Sequence, residues 1–202
     1  MGSVTTPAGT IPGVARACNL LGLALWSNPL GTAVEGAAGQ RVLLEAAFAG
    51  LDHAGLRAAL EGLLNEAASL AVDGDALKAA ERDRIRLLLG VPKPVAPPWE
   101  SVWRSEDHRV QQEPAAEVFR RYLAARLGFD GMQGEPPDHA GLELLFVAGL
   151  LDRGDVAEAR TFFRDHPATF LEPFGEAIER EAVSSWMRWT GSGLCALARA
   201  VW

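Results

Sequence analysis

The chain is short of most features that would announce a chemistry. It has only two cysteines, Cys18 and Cys195, near its opposite ends. Two are too few for a disulfide framework, and both sit in apolar, helix-like stretches, so reduced and buried thiols are expected. There is no CxxC pair, no GxSxG turn and no glycine-rich phosphate loop following a strand. Nothing marks a nucleophile around which a Ser-His-Asp set would assemble. The four histidines, His53, His108, His139 and His166, are scattered. None has another histidine three or four residues away, so the two-histidine helical metal motif is missing. No window reaches 18 uninterrupted apolar residues, which excludes a membrane span. The opening "MGSVTTPAGTIPG" has no basic start followed by an apolar run and is not a secretory signal. These absences predict a soluble protein of a reducing cytoplasm, without catalytic residues, cofactor or metal.

What the chain has is helix. Hydrophobic residues make up 49% of its 202 positions, enough for a substantial core, and they recur at helical rather than strand spacing. Residues 14–26 put Ala17, Leu20, Leu21 and Ala24 on one stripe. Residues 41–51, 54–71 and 75–90 continue the pattern, with Asp52 as a candidate N-cap and Gly90 as a stop. Four prolines and two tryptophans then interrupt it in "VPKPVAPPWESVWRSED", 91–107. Helical spacing returns at 113–128 and again at 139–154 after the loop "FDGMQGEPPD". Asp155 and Glu158 have capping-box spacing at the head of the next helix, and Pro173 is placed to kink or divide the penultimate one. No fixed repeat is present. The expected architecture is all-α: a flexible tail over 1–12, then one domain over 13–202 built as a bundle of roughly eight to ten helices.

The net charge of −7 argues against nucleic-acid binding. Between Trp99 and Phe146 lie nine acidic and five basic residues, so −4 of the −7 falls there. A solvated acidic face explains this, and so does a cationic partner. Within it, Asp138 follows two prolines and precedes a helical run, as an N-cap does. His139 then falls on the first turn, exposed or half exposed, with the helix dipole favouring its neutral form. His139 and Glu143 are one turn apart and offer two metal ligands, but a third is lacking. Trp99 and Trp103 read equally as plugs of the core or as the wall of an apolar peptide groove, with Glu100 nearby to meet a positive charge.

"PPWESVW" at 97–103 and "EPPDHAGLELLF" at 135–146, in this order and spacing, resemble the TorD/DmsD/NarJ family of redox-enzyme maturation chaperones, its TorD branch above all. "DRIRLLLGVPKP" before the proline loop and "ARACNLLGLAL" in the first helix extend the likeness over about residues 14–175. The chain departs from the family pattern at Asn19 and in "FLEPFGEAIE". The resemblance implies an all-α cytoplasmic chaperone that is not an enzyme. It would bind the twin-arginine signal peptide, or the apo-form, of a molybdopterin oxidoreductase catalytic subunit and delay export until the cofactor is in. The family's Asp-His pair, linked to signal-peptide recognition, falls on Asp138 and His139. Trp99, Glu100, Trp103, Glu135 and Glu143 complete the expected peptide site. A helical adaptor without preference for paired arginines is the alternative.

Overall fold

A computed structural model of the chain describes residues 10–90, 93–105, 110, 113–127 and 134–200. The described residues form eleven α-helices and one 3-10 turn, with no strand. In order they are α1 (Thr10–Trp26), α2 (Gly31–Gly39), α3 (Arg41–Phe48), α4 (Ala54–Leu70), α5 (Gly74–Leu89) and α6 (Glu100–Arg104). Then come α7 (Glu113–Ala125), α8 (Ala140–Asp152), α9 (Val156–Asp165), the 3-10 turn Pro167–Thr169, α10 (Leu171–Glu181) and α11 (Ser185–Ala200). The all-α expectation holds, and two more short helices than the periodicity reveals, α2 and α6, carry the count past ten. The first helix begins at Thr10, inside the segment assigned to the tail; residues 1–9 lie outside the described ones.

Two helices organise the packing. Helix α8 is apolar on every side, with Leu142, Leu144, Phe146, Val147, Leu150 and Leu151 all buried, and it lies between α1 and α9. Helix α11 packs against α10 and α4, and α1 joins the two groups by touching both α8 and α11. Close crossings rest on glycines. A Cβ on Gly22 of α1 would stand 3.0 Å from the Gly141 carbonyl of α8, and one on Gly191 of α11 would stand 2.7 Å from the Gly175 carbonyl of α10. Backbones pass at these points with no room for a methyl group.

The helix ends depart from the simple capping scheme. His53, not Asp52, caps α4, its Nδ1 accepting the Leu56 amide at 3.1 Å. Asp155 leaves α9 without a side-chain cap, because its carboxylate pairs with Arg153 at 2.8 Å and Glu158 pairs with Arg121 at 2.7 Å. Pro173 neither kinks nor divides α10: it lies in the first turn, where a helix needs no amide donor. Asp83 of α5 anchors the approach to α11, accepting the Val183 and Ser184 amides at 2.9 and 2.8 Å, while Ser184 Oγ itself accepts the Met187 amide inside the helix at 3.3 Å.

Candidate functional site

The proline-rich segment before α6 and the loop before α8 are bound to each other. Trp99 and His139 pair as an isolated antiparallel bridge. The Glu100 amide donates to the Asp138 carbonyl at 2.9 Å and the Ala140 amide to the Pro98 carbonyl at 2.7 Å. Prolines on both segments hold the backbone extended, which exposes these amides and carbonyls for pairing across rather than along the chain. Side chains add two ties. The Trp99 indole Nε1 donates to Glu135 Oε1 at 2.7 Å, and Asp138 Oδ2 accepts the Ser101 amide at 2.8 Å.

All seven residues singled out in the sequence therefore belong to one unit, but at two depths. Trp99, Trp103 and Glu135 are half-buried. Trp103 donates from Nε1 to the Pro97 carbonyl at 2.7 Å and packs its ring 6.0 Å from that of Phe174. It is thus part plug and part surface. Glu100, Asp138 and Glu143 are wholly buried and His139 is 4% exposed. Asp138 and His139 both depart from the sequence expectation. Asp138 does not cap the helix it precedes; its carboxylate turns to the Ser101 amide of α6. His139 is not a solvent-facing first-turn residue. It is the N-cap of α8 itself, its Nδ1 accepting the Gly141 amide at 3.0 Å, with its ring edge-on to Trp26 at 5.1 Å.

Burial sets the charge states. His139 is pushed down to about 3 by desolvation and by the nearby Arg84 guanidinium, so it is neutral at physiological pH. Asp138 is raised above the ordinary aspartate value by burial, an effect that the Ser101 bonds oppose. Glu143 is raised well above the usual carboxylate range, first by burial and then by the charges of Glu100 and Asp138. No hydrogen-bond donor among the described residues reaches either Glu143 oxygen. A proton on Glu143 removes the difficulty: the carboxyl then donates to Glu100, against which it lies.

Sequence reading missed the partners of Glu100. Its Oε2 is 3.0 Å from His166 Nδ1, and its Oε1 takes Arg104 Nη1 and stands 3.4 Å from Thr169 Oγ1. His166 is completely buried at the end of α9, and its signal was faint, a histidine before Pro167 beyond any local spacing to Glu100. Tyr122, the chain's single tyrosine, donates to the Pro137 carbonyl at 3.0 Å. Desolvation, and then the Glu143, Asp138 and Glu100 carboxyls, push its phenol well above 10.

His139 and Glu143 are spent on different partners, and among the described residues no group of three or more His, Cys, Asp or Glu is arranged to hold a metal ion. No described helix is long and apolar enough to cross a membrane. The acid-rich middle segment is not a single solvated face: three of its carboxyls point inward, Glu113 pairs with Arg120 at 3.0 Å, and Glu106, Asp107 and Asp130 lie outside the described residues.

The family described as nitrate reductase delta subunit matches residues 50–176, a span that takes in α4 to α9 and the whole bridged unit. The chain belongs to this family, which is one of redox-enzyme maturation chaperones within the TorD/DmsD/NarJ group. Chaperones of the family act on molybdoenzyme catalytic subunits. No curated protein matches the chain at significance.

Proposed function

We propose that the chain is a cytoplasmic chaperone of the TorD type that binds the twin-arginine signal peptide, the apo-form, or both, of a molybdopterin oxidoreductase catalytic subunit and holds it until the cofactor is inserted, without catalysing a reaction. The observation that carries this reading is the Trp99–Glu135 hydrogen bond. It sets an indole and a carboxylate side by side at the half-buried lip of a carboxyl cluster. A twin-arginine signal joins two guanidinium groups to an apolar stretch, so its receptor needs both surfaces together. Trp99, Trp103 and Glu135 meet the peptide. Glu100, Asp138, His139 and Glu143 fix their positions from beneath. Burying ~300 Å² of apolar peptide surface contributes roughly 7 kcal/mol. Ordering the peptide takes back several kcal/mol, which leaves binding in about the micromolar range.

The test is a fluorescence titration with a twin-arginine signal peptide from a molybdopterin oxidoreductase. Because the chain has six tryptophans, the response is read as the difference between the parent protein and Trp99→Phe. The lip accounts for binding if Trp99→Phe removes most of the change and Trp99→Ala weakens affinity while the unfolding midpoint stays in place. A sharp drop in that midpoint with affinity unchanged makes Trp99 a core residue and removes the lip from the account.

A further inference from the structure

We propose that Glu100 and Glu143 form a guanidinium-binding subsite that the chain's own Arg104 occupies in the free protein, and that an arginine of the incoming peptide enters by displacing Arg104. The proposal rests on the function proposed above for the choice of peptide, but the subsite itself is defined by this chain alone.

Arg104 stands one helical turn after Glu100 on α6, and the two side chains are 39% and 0% exposed. The arginine therefore reaches inward from the surface to a carboxylate that has no other contact with solvent. Its hold is incomplete. Beyond Glu100, Arg104 has one long contact among the described residues, 3.4 Å to the Asp165 carbonyl. A guanidinium carries five N–H donors in a planar fork suited to two carboxylate oxygens at once. Arg104 brings one nitrogen to one oxygen of Glu100, whose other oxygen faces His166, while both Glu143 oxygens beside it lack a donor among the described residues. The short tether of α6 explains this, since a side chain four residues along the same helix approaches its partner from one side only. An arginine on a separate peptide is free of that constraint and can span both carboxyls.

The charged and titratable groups facing Glu143 are Glu100 and Arg104 of α6, Asp138 of the preceding loop and Tyr122 of α7. Only one of these is a cation, and it is already on Glu100. Glu143 thus holds its proton while the site is closed. A guanidinium that spans the pair stabilises the carboxylate, and the Glu143 proton leaves to the buffer.

Two measurements test this. The first needs no peptide: thermal unfolding of Arg104→Ala and of Arg104→Lys in millimolar methylguanidinium, with equal methylammonium as the control. Methylguanidinium is expected to raise the midpoint of Arg104→Ala saturably, to leave the parent unmoved, and to act less on Arg104→Lys, where an ammonium still occupies Glu100. The second is titration calorimetry of the twin-arginine peptide in buffers of differing ionisation enthalpy. Arg104→Ala should bind on the order of tenfold more tightly than the parent, with close to one proton released per peptide, and Glu143→Gln should abolish the release. If methylguanidinium and methylammonium act alike on both variants, the subsite is wrong whatever the peptide does. Peptide affinity that ignores Arg104→Ala removes the displacement step. Selective methylguanidinium binding with no peptide binding overturns the proposed function and leaves the subsite standing.

Discussion

The carboxylate of Asp138 accepts the Ser101 amide at 2.8 Å across 37 residues of sequence. Because the Glu100 amide also donates to the Asp138 carbonyl at 2.9 Å, one residue of the α8 loop takes both of the first two amides of α6. A five-residue helix has too few internal hydrogen bonds to stand alone. Helix α6 exists because Asp138 holds it, and with α6 come Glu100, Trp103 and Arg104.

Asp138→Ala should therefore destabilise the protein by about 1–3 kcal/mol, the cost of a buried amide left without an acceptor. Asp138→Asn retains an acceptor and removes a carboxyl from an acid-rich interior, so it should cost less than about 1 kcal/mol. Denaturant unfolding of the two variants checks the order. Equal losses would show that the charge, not the hydrogen bond, is what α6 depends on.

The cluster also fixes how stability varies with pH. His139 is depressed from 6.5 to about 3 in the folded chain, so the unfolded chain binds a proton between those values and the folded chain does not. Its contribution is complete above 6.5 and is lost as pH falls towards 3, by up to roughly 5 kcal/mol at about 1.4 kcal/mol per unit. Glu143 has the opposite sign. Its folded value lies well above 4.5, so the folded chain is the tighter proton binder and stability declines as pH rises beyond 4.5. His139→Asn, which keeps an N-cap oxygen, should flatten the acid side, and Glu143→Gln should flatten the decline at higher pH. Unfolding free energies measured from pH 4 to 9 report both limbs, and a Glu143→Gln profile parallel to the parent's would mean that Glu143 is ionised in the native protein.

Asp83 supplies a third outcome. Burial pushes its carboxyl up, but the bonds from Ser184, Arg86 and Val183 outweigh this and hold it below 3.8. The same carboxylate anchors, from α5, the Val183–Ser184 amides and the Ser184 hydroxyl at the entry to α11. Asp83→Ala should cost about 2–4 kcal/mol, and hydrogen exchange should show the loss first at the start of α11. Exchange that rises evenly along α11 would contradict this anchoring role.

The sequence made the long helices legible because their apolar residues repeat at helical spacing over several turns, as Leu56, Leu60, Leu63, Leu64 and Ala67 do in α4. Helix α2 escaped it. Gly31, Gly36 and Gly39 lower its intrinsic propensity, and it is stabilised by packing Ala33, Val34 and Ala37 against neighbours such as α4. The two motif segments were visible, and all seven of their marked residues meet. Their depth was not visible. Asp138 and His139 read as cap and surface residue because local rules see only the helix that follows, whereas the bridge between Trp99 and His139 is made across the chain. Glu100's partner His166, 66 residues away, had no local signal at all.

The account stands most directly on whether this unit recognises paired arginines. Titration calorimetry of the parent protein against the signal peptide and its Lys-Lys counterpart, at low and moderate salt, measures that. The account predicts that the arginine peptide binds at least about tenfold more tightly, since a planar fork engages carboxylates that an ammonium meets as a point charge. Both affinities should fall as salt rises. Equal affinity for the two peptides, with no dependence on salt, would contradict it and leave a helical adaptor that reads apolar surface alone.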